Sequence, residues 1–222
     1  MKCYGSQYCS KYPDSCHKYC IGYIQLNNVY SLSQMPEKYR TDIKLLNPGK
    51  DLEAYVYLKA FRLDIVSKVQ SGEGIFLFSS NKGNGKTSWV CKIMNHYLRQ
   101  VALANNLRCR ALFVNVPDFL QRLRENMDNP VYEMHEMIRM IKSADMVVWD
   151  DIGTENHSDW VRERLYTYIN YRESNNLTQL YTSNLGLDVL ESEKYLGSRI
   201  VSRIYGQCKV IQLIGPDRRG DK

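Results

Sequence analysis

From residue 50 onward, short apolar runs alternate with segments in which apolar residues recur at helical spacing. Each run has the length and composition of a buried strand. The runs cover residues 74–78, 111–116, 146–151, 178–182 and 209–214. Strands that alternate with helices form parallel sheets through right-handed crossovers. The pattern therefore predicts an α/β fold in which a parallel five-stranded sheet is flanked by helices.

Helical spacing begins at Asp51, where Leu58, Phe61, Ile65 and Val69 fall on one face of a helix that ends at Ser71-Gly72. A second helix is predicted from Lys86 to near Asn105-Asn106, and a third from Pro117, with Asp118 as its cap. A fourth covers residues 132–142 after a loop at Asn129-Pro130, and a fifth begins after a cap at Ser158. A short helical stretch follows Asn184, and a last helix covers residues 198–205.

Residues 1–49 lack this alternation. The first 24 residues are rich in Cys and Tyr and poor in aliphatic side chains. Residues 25–49 are punctuated by Pro36, Asn47-Pro48 and Gly49, as is typical of a linker. The sequence predicts a cysteine-rich module at 1–24, a linker at 25–49 that touches the main domain, and a main domain at 50–222.

The 222-residue chain carries a formal net charge of +6, which permits a nucleic-acid partner without requiring one. No apolar run approaches the length that spans a membrane, and the first residues lack the apolar core of a signal peptide. We therefore expect a cytoplasmic protein with no membrane partner. In a reducing cytoplasm its seven cysteines are not expected to form disulfides.

Four of these cysteines, Cys3, Cys9, Cys16 and Cys20, lie within the first twenty residues. The spacing of Cys16 and Cys20 suits zinc, whereas Cys3 and Cys9 are further apart than is usual. Four thiolates would close a tetrahedral Zn²⁺ site, with His17 as a substitute ligand, and the metal would supply folding energy that apolar burial cannot. The alternative is a tail with unligated thiols.

The first strand leads into a loop of small and turn-forming residues, and a helix then begins with Lys86, Thr87 and Ser88. A strand, a Gly-rich loop, a Lys-Thr pair and a helix form the context of a P-loop. Backbone N–H groups of the loop would surround phosphate oxygens, Lys86 would reach the β- and γ-phosphates, and the Thr87 hydroxyl would ligate Mg²⁺. The predicted nucleotide contacts are Asn81, Lys82, Gly83, Asn84, Gly85, Lys86, Thr87, Ser88 and Asp150.

One position departs from the P-loop pattern, because Ser80 stands where G-x-x-x-x-G-K-[ST] has its first Gly. A positive φ at this serine would cost free energy that a glycine avoids. The alternative to a P-loop is a Gly-rich turn that precedes a Lys-Thr pair.

The third strand ends in two carboxylates, Asp150 and Asp151. We expect this strand beside the P-loop strand, where Asp150 would hold Mg²⁺ directly or through water and Asp151 would polarise the attacking water. Many ATPases place Glu at the second position, and the shorter Asp predicts slow hydrolysis. The alternative is a carboxylate pair that caps the next turn.

Five motifs occur in an order that resembles one protein family: SNKGNGKTSW, VVWDDIGTE, LYTSNLGLDVL, GSRIVSRIYGQ and VIQLIGPDRR. They are similar to the bacterial replicative-helicase loaders of the DnaC/DnaI type, in the initiator-related branch of the AAA+ ATPases. The resemblance covers the chain from about residue 50 to 220. It implies an AAA+ fold without the helical lid that most AAA+ proteins carry. The short cysteine-rich segment resembles phage versions, in which a zinc-bearing module contacts the helicase.

The resemblance also implies roles for single residues. Asn184 is similar to the family's sensor residue near the γ-phosphate, and its position after the fourth strand places it level with Asp150. Arg203 resembles the arginine finger that reaches a neighbouring subunit's ATP, which implies self-association through the ATP site. Arg199 lies one turn earlier on the same face, and Arg218 matches a family arginine that follows the last strand. The alternatives are a turn-forming Asn and an exposed basic helix face.

Arg122, Arg124 and Lys142 fall where related proteins contact single-stranded DNA through its backbone charge. A solvated helix face explains these side chains almost equally well.

The predicted function is that of a helicase-loader ATPase, which binds ATP and Mg²⁺, assembles with the replicative DNA helicase, helps place it on single-stranded DNA and hydrolyses ATP to release it. One alternative is a transposition-type AAA+ ATPase that acts on duplex DNA. A second is a small-molecule kinase, for which the sequence shows neither an acceptor pocket nor an arginine-bearing lid. A third is a non-hydrolysing zinc adaptor that uses ATP only to hold its shape.

Overall fold

A computed structural model describes residues 3–6, 9, 14, 16–41, 43–44, 48–102, 108–126, 131–153 and 158–217. The helix end expected near Asn105-Asn106, the loop at Asn129-Pro130 and Arg218 lie outside these residues. The helices are α1 (Ile21–Leu32), α2 (Leu52–Leu63), α3 (Ile65–Gln70), α4 (Lys86–Val101), α5 (Val116–Glu125), α6 (Tyr132–Ser143), α7 (Asp159–Ser174), α8 (Leu187–Leu190) and α9 (Ser198–Gln207). The strands are β1 (Gly74–Phe78), β2 (Ala111–Asn115), β3 (Met146–Asp150), β4 (Thr178–Ser183) and β5 (Cys208–Gln212).

The five strands form one parallel sheet in the order β2-β3-β4-β1-β5, which confirms the predicted fold class. The expectation that the strand of Asp150 lies beside the P-loop strand is wrong, because β4 pairs with both β1 and β3 and separates them. The carboxyl ends of β1, β3 and β4 still meet at one edge of the sheet, where ligands of open α/β sheets bind.

Strands β1 to β4 are buried on both faces of the sheet, because their successive side chains enter opposite cores. In β3, Val147 and Trp149 join one core with residues of α5, α6, α7 and α9. Met146 and Val148 join the other core with residues of α1, α2 and α4. All five residues of β3 are buried, so its polar residue Asp150 is fixed by the packing of the strand.

The sequence pattern did not predict α1, which crosses the expected boundary after residue 24. Val29 and Tyr30 of this helix are buried in the core that contains α4, and Met35 beyond it is fully buried. The amide of Phe113 in β2 donates to the carbonyl of Ser33 over 2.8 Å, so the chain after α1 lies beside the edge strand of the sheet. Part of the expected linker is therefore packed against the main domain.

Two helix ends differ from the prediction. The helix expected over residues 51–69 is divided at Asp64, whose backbone leaves helical geometry (φ −98°, ψ 18°). Helix α5 is capped by Asn115, which accepts a hydrogen bond from the amide of Asp118, so Asp118 lies inside the first turn and is not the cap. Ser158 caps α7 as predicted, accepting from the amide of Val161.

No helix among the residues that the structure describes is long and apolar enough to cross a membrane.

Candidate nucleotide-binding site

The loop between β1 and α4 has the backbone of a phosphate-binding loop. Gly83 and Gly85 adopt φ values of +70° and +99°, which residues with a side chain rarely tolerate. Ser80 is absent from the described residues with positive φ, so its departure from the pattern carries no left-handed strain. Helix α4 begins at Lys86 directly after Gly85, and its free N–H groups and positive dipole end lie at the loop.

Lys86 is folded back across the loop. Its Nζ donates to the carbonyls of Ser79 and Asn81 over 3.3 and 3.2 Å, and only 6% of the residue is exposed. Carbonyl oxygens carry partial charge, whereas a phosphate carries full negative charge and attracts an ammonium more strongly. The lysine is therefore held at the loop, where a phosphate would be a stronger partner than the two carbonyls.

Asp150 and Thr87 meet at the carboxyl edge of the sheet. The Thr87 hydroxyl donates to Asp150 Oδ1 over 2.9 Å, joining the first turn of α4 to the end of β3. A hydroxyl and a carboxylate side by side are ligands that Mg²⁺ uses in nucleotide sites. The sequence predicted these two ligands, and the structure brings them together.

A second hydroxyl, which the sequence analysis missed, holds the same carboxylate. Thr182 of β4 donates to Asp150 Oδ1 over 2.7 Å and accepts from the amide of Asp151 over 2.9 Å. Trp149 pairs with Tyr181 in the β3–β4 register, so Thr182, rather than Asn184, lies level with Asp150. Thr182 is a polar residue near the end of a strand, which could have indicated a role at the sheet edge. Its contact with Asp150 could be predicted only if β4 was known to pair with β3.

The pKa of Asp150 is raised to about 6. Burial is the main cause, and the charge of Asp151 adds to it, while the hydrogen bonds from Thr182 and Thr87 and the charge of Lys86 act in the opposite direction. A cation at this position would favour the charged carboxylate and would therefore lower this pKa.

Asp151 follows directly in a strained conformation, with φ +57°. Asp tolerates this left-handed region better than most residues, and the bond from its amide to Thr182 stabilises it there. The turn directs the chain out of β3, and the Asp151 residue is half-buried at the sheet edge. Asn184 follows the last residue of β4, and the amide of the next residue, Leu185, donates to Ser183 Oγ.

Arg203 and Arg199 lie together on α9, as the one-turn spacing predicts. The Arg199 guanidinium lies over the Tyr166 ring, 4.1 Å from its centre, and Arg203 Nη1 lies 3.7 Å from Glu173 Oε2. Hydrogen bonds from both arginines lower the pKa of the Tyr166 hydroxyl, with that of Arg203 the larger influence. The polar contacts described for the two arginines are thus with α7 and not with the phosphate loop.

The three candidate DNA contacts are on exposed helix surface. Arg122 and Arg124 are exposed on α5, and Lys142 lies at the end of α6 with its Nζ 5.4 Å from the centre of the Tyr171 ring.

The four cysteines near the start of the chain line one cavity of about 970 Å³ between their own segment and helices α2 and α4. Burial raises the pKa of the Cys16 thiol, and the neighbouring thiols of Cys3, Cys20 and Cys9 raise it further. Among the described residues, however, no three His, Cys, Asp or Glu side chains are close enough to hold a metal ion. As described, the thiols share a cavity but do not form a zinc ligand set.

No protein-family model matches the chain. The chain is 28% identical over 159 residues to the replicative helicase loader DnaI of Bacillus subtilis, covering 67% of the chain and 48% of the relative. It is 23% identical over 130 residues to the replicative helicase loader DnaC of Escherichia coli K12, covering 58% of the chain and 49% of the relative. The chain thus spans about half the length of the curated relatives that it matches.

Solved structures show the same likeness. A crystal structure of DnaI superimposes with a TM-score of 0.61 at 26% identity, covering 84% of this chain and 95% of that one. A crystal structure of the DnaC helicase loader superimposes with a TM-score of 0.61 at 20% identity, covering 80% and 99%. The resemblance to helicase loaders of the DnaC/DnaI type is confirmed in sequence and in fold.

Proposed function

We propose that this chain is an ATP-dependent helicase loader, which binds the replicative DNA helicase and assists its loading onto single-stranded DNA during DNA replication. The observation that carries the proposal is the assembled phosphate loop with Thr87 and Asp150 in contact, in a chain similar to DnaI over 159 residues. Neither feature alone distinguishes a loader from other P-loop proteins. Together they favour a loader over the alternative of a transposition-type AAA+ ATPase.

ATP would be held by the loop from Asn81 to Ser88. Lys86 would exchange the carbonyls of Ser79 and Asn81 for the β- and γ-phosphates. Thr87 and Asp150 would hold Mg²⁺, which would neutralise the charge that develops on the phosphates. Asp151 would polarise the attacking water, and Asn184 would act as a sensor near the γ-phosphate.

ATP hydrolysis would depend on a neighbouring copy of the chain. Arg203 is 41% exposed in its side chain and its described partners are on α7, so it is available to reach a site on another molecule. An arginine supplied by a neighbour stabilises charge in the transition state of phosphoryl transfer. Hydrolysis would therefore be weak in the isolated chain and stronger in an assembly.

Single-stranded DNA would be contacted through backbone charge, with Arg122 and Arg124 on α5 and Lys142 on α6 as candidates. The proposal places the protein in the cytoplasm of a bacterium, or of the host if a phage encodes it.

Zinc binding by Cys3, Cys9, Cys16 and Cys20 stays a prediction. The support for this prediction is that the four thiols line one cavity. Their sulfur atoms would have to move closer together to bind an ion. Metal analysis of the protein purified without added zinc should find about one Zn²⁺ per chain, lost in a Cys16→Ser/Cys20→Ser variant. A Cys91→Ser variant, altered at a buried thiol of α4, is the control and should keep the metal.

The proposed function is tested by mixing the full chain with the replicative helicase of its source organism and measuring the mass of the complex by light scattering after size exclusion. We expect a stable complex whose mass depends on ATP and Mg²⁺. A Lys86→Ala variant should lose ATP binding and this nucleotide dependence, and Lys59→Ala, which removes an exposed lysine of α2, is the matched control.

Failure to form a complex in any nucleotide state would contradict the loader proposal and favour an ATPase of the transposition type, which duplex DNA would then test. ATP binding without turnover, even with helicase and DNA present, would instead favour a non-hydrolysing adaptor.

A further inference from the structure

Residues 213–217, which follow β5, lie against the phosphate loop; we refer to them as the 213–217 segment. The amide of Leu213 donates to the carbonyl of Phe78 over 2.9 Å, at the last residue of β1. The chain thus leaves β5 beside the point where the phosphate loop begins. The sequence pattern predicted only a strand here, ending at Ile214.

Two asparagines of the loop hold the carbonyls of this segment. Asn81 Nδ2 donates to the carbonyls of Ile214 and Gly215 over 3.1 and 3.0 Å. Asn84 Nδ2 donates to Ser79 Oγ over 2.6 Å and to the carbonyl of Leu213 over 3.4 Å. Asn81 and Asn84, at variable positions of the P-loop pattern, therefore bind the loop to the 213–217 segment.

The amides of the same segment are held from the other side by Asp51. This residue ends the short turn Gly49–Asp51 before α2, and it is only 3% exposed. Its Oδ1 accepts from the amide of Ile214 over 2.7 Å, and its Oδ2 accepts from the amide of Gly215 over 3.0 Å. Hydrogen bonds to a buried carboxylate are stronger than those between neutral groups, so Asp51 fixes the segment firmly.

The far end of the segment meets the loop at Gly83. A Cβ atom built on Gly83 would lie 1.9 Å from Asp217 Oδ1, so the carboxylate of Asp217 lies where a side chain of residue 83 would be. The segment therefore contacts the loop at Asn81, Gly83 and Asn84, over most of its length.

A loop of Gly, Ser and Asn buries little apolar surface, so its own packing does not fix its backbone. Ordering such a loop around a ligand costs conformational entropy, which lowers the affinity for that ligand. A loop that is held before the ligand arrives avoids this cost. The contacts at Asn81 and Asn84 hold it through the 213–217 segment, and Asp51 holds the segment.

We propose that Asp51, acting through the 213–217 segment, is a positioning residue for the phosphate loop and sets the affinity for ATP. This inference rests on the proposed ATP site. Asp51 touches neither the loop nor the proposed ligand positions in its described hydrogen bonds, so its influence would be on nucleotide binding rather than on the chemical step.

The test uses Asp51→Asn, which keeps the size of the side chain but puts an amide donor or a weaker acceptor opposite the two backbone amides. We expect the Kd of a fluorescent ATP analogue to rise about tenfold, while kcat at saturating ATP stays within about twofold of the parent value. Asp64→Asn removes the same charge at the exposed break between α2 and α3 and should leave both quantities unchanged.

Asn81→Ala provides a second variant if Asp51→Asn folds poorly, because Asn81 is exposed and its loss removes the same attachment from the loop side. It should also raise Kd. The proposal is overturned if Asp51→Asn and Asp64→Asn bind the analogue equally, or if kcat falls while Kd does not change. A folded parent protein that binds no ATP would contradict the proposed function itself, which is a separate outcome.

Discussion

At the scale of single residues, the candidate metal site consists of one buried acid with hydroxyl partners on two sides. Thr87 approaches Asp150 from α4 and Thr182 approaches it from β4, and both donate to Oδ1. Neither partner carries a charge, so burial prevails and the pKa of Asp150 is raised to about 6. The proton that this carboxyl holds at low pH would compete directly with Mg²⁺.

We therefore expect Mg²⁺-dependent ATP binding to weaken as the pH falls through about 6, by up to about tenfold per pH unit below that value. Above the pKa the carboxylate is charged and binds the cation, and below it the proton must first be displaced. The apparent Kd for Mg²⁺, measured with a fluorescent ATP analogue between about pH 5 and pH 8, checks this. In Asp150→Asn the profile should lose this step, and a flat profile in the parent protein would contradict the expectation.

Thr182→Val tests the second hydroxyl. The substitution keeps the shape of the side chain but removes both the donor to Asp150 and the hydroxyl that accepts from the part-buried amide of Asp151. We expect the free energy of unfolding to fall by about 1–3 kcal/mol, as measured by urea denaturation. Thr178→Val is the control on the same strand, since its hydroxyl makes longer contacts, of 3.3 and 3.5 Å, with the carbonyls of Lys68 and Val69. If the free energy of unfolding falls equally in the two variants, the contacts of Thr182 stabilise the fold no more than those of Thr178.

Lys86, Thr87 and Asp150 could be predicted from the sequence because each has a local signature: a Gly-rich loop before a helix, or a carboxylate after an apolar strand. Thr182 could not, because its contact depends on which strand lies beside β3. Asp51 is also 163 residues from Ile214, and no local pattern connects them. The motif thus identifies the residues that would touch the ligand, while those that support them come from distant parts of the chain.

At the scale of elements, most strand bounds agree with the sequence pattern within one or two residues, because continuous apolar runs between turn residues leave few alternatives. Helix α1 was missed because the apolar residues of its sequence, IGYIQLNNVYSL, are spread around the helix rather than confined to one face, and tertiary packing of Val29 and Tyr30 stabilises it. The break at Asp64 was missed because apolar spacing continues across it from Phe61 to Ile65.

The cap of α5 gives a test at this scale. Asn115→Ala removes the side-chain acceptor of the Asp118 amide and should lower the free energy of unfolding by about 1 kcal/mol. Asp118→Ala removes only a charge near the positive end of the helix and should lower the free energy of unfolding by about 0.5 kcal/mol. Urea denaturation of the two variants distinguishes them, and a larger loss in Asp118→Ala would restore Asp118 as the cap.

At the scale of the whole molecule, the face formed by α7 and α9 carries the two arginines that, in the proposed assembly, would reach the ATP site of a neighbouring copy. Arg203 and Arg199 converge on Tyr166 there, and Glu173 lies beside Arg203. The arrangement holds both guanidinium groups at the surface in a defined position.

Arg203→Ala should leave ATP binding by the single chain unchanged and lower assembly-dependent hydrolysis by about a hundredfold or more, because the transition state loses a charge supplied in trans. Binding is measured with a fluorescent ATP analogue, and hydrolysis by phosphate release with helicase and single-stranded DNA present. Arg139→Ala, which removes an exposed arginine of α6 paired with Glu136, is the matched control. Normal hydrolysis by Arg203→Ala in the assembled state would rule out the finger role.

The attachment of the phosphate loop to the 213–217 segment also has a consequence for protein synthesis. Asn81 and the carbonyl that it binds at Ile214 are separated by 133 residues, and β4 and β5, the two strands that pair with β1, are both translated after it. At roughly 5–20 residues per second, the loop would leave the ribosome on the order of ten seconds before the segment that holds it. During that interval the nascent chain would carry every residue of the P-loop motif without a finished nucleotide site. The chain would first bind ATP tightly once β4 and β5 have paired with β1 and the 213–217 segment has reached the loop.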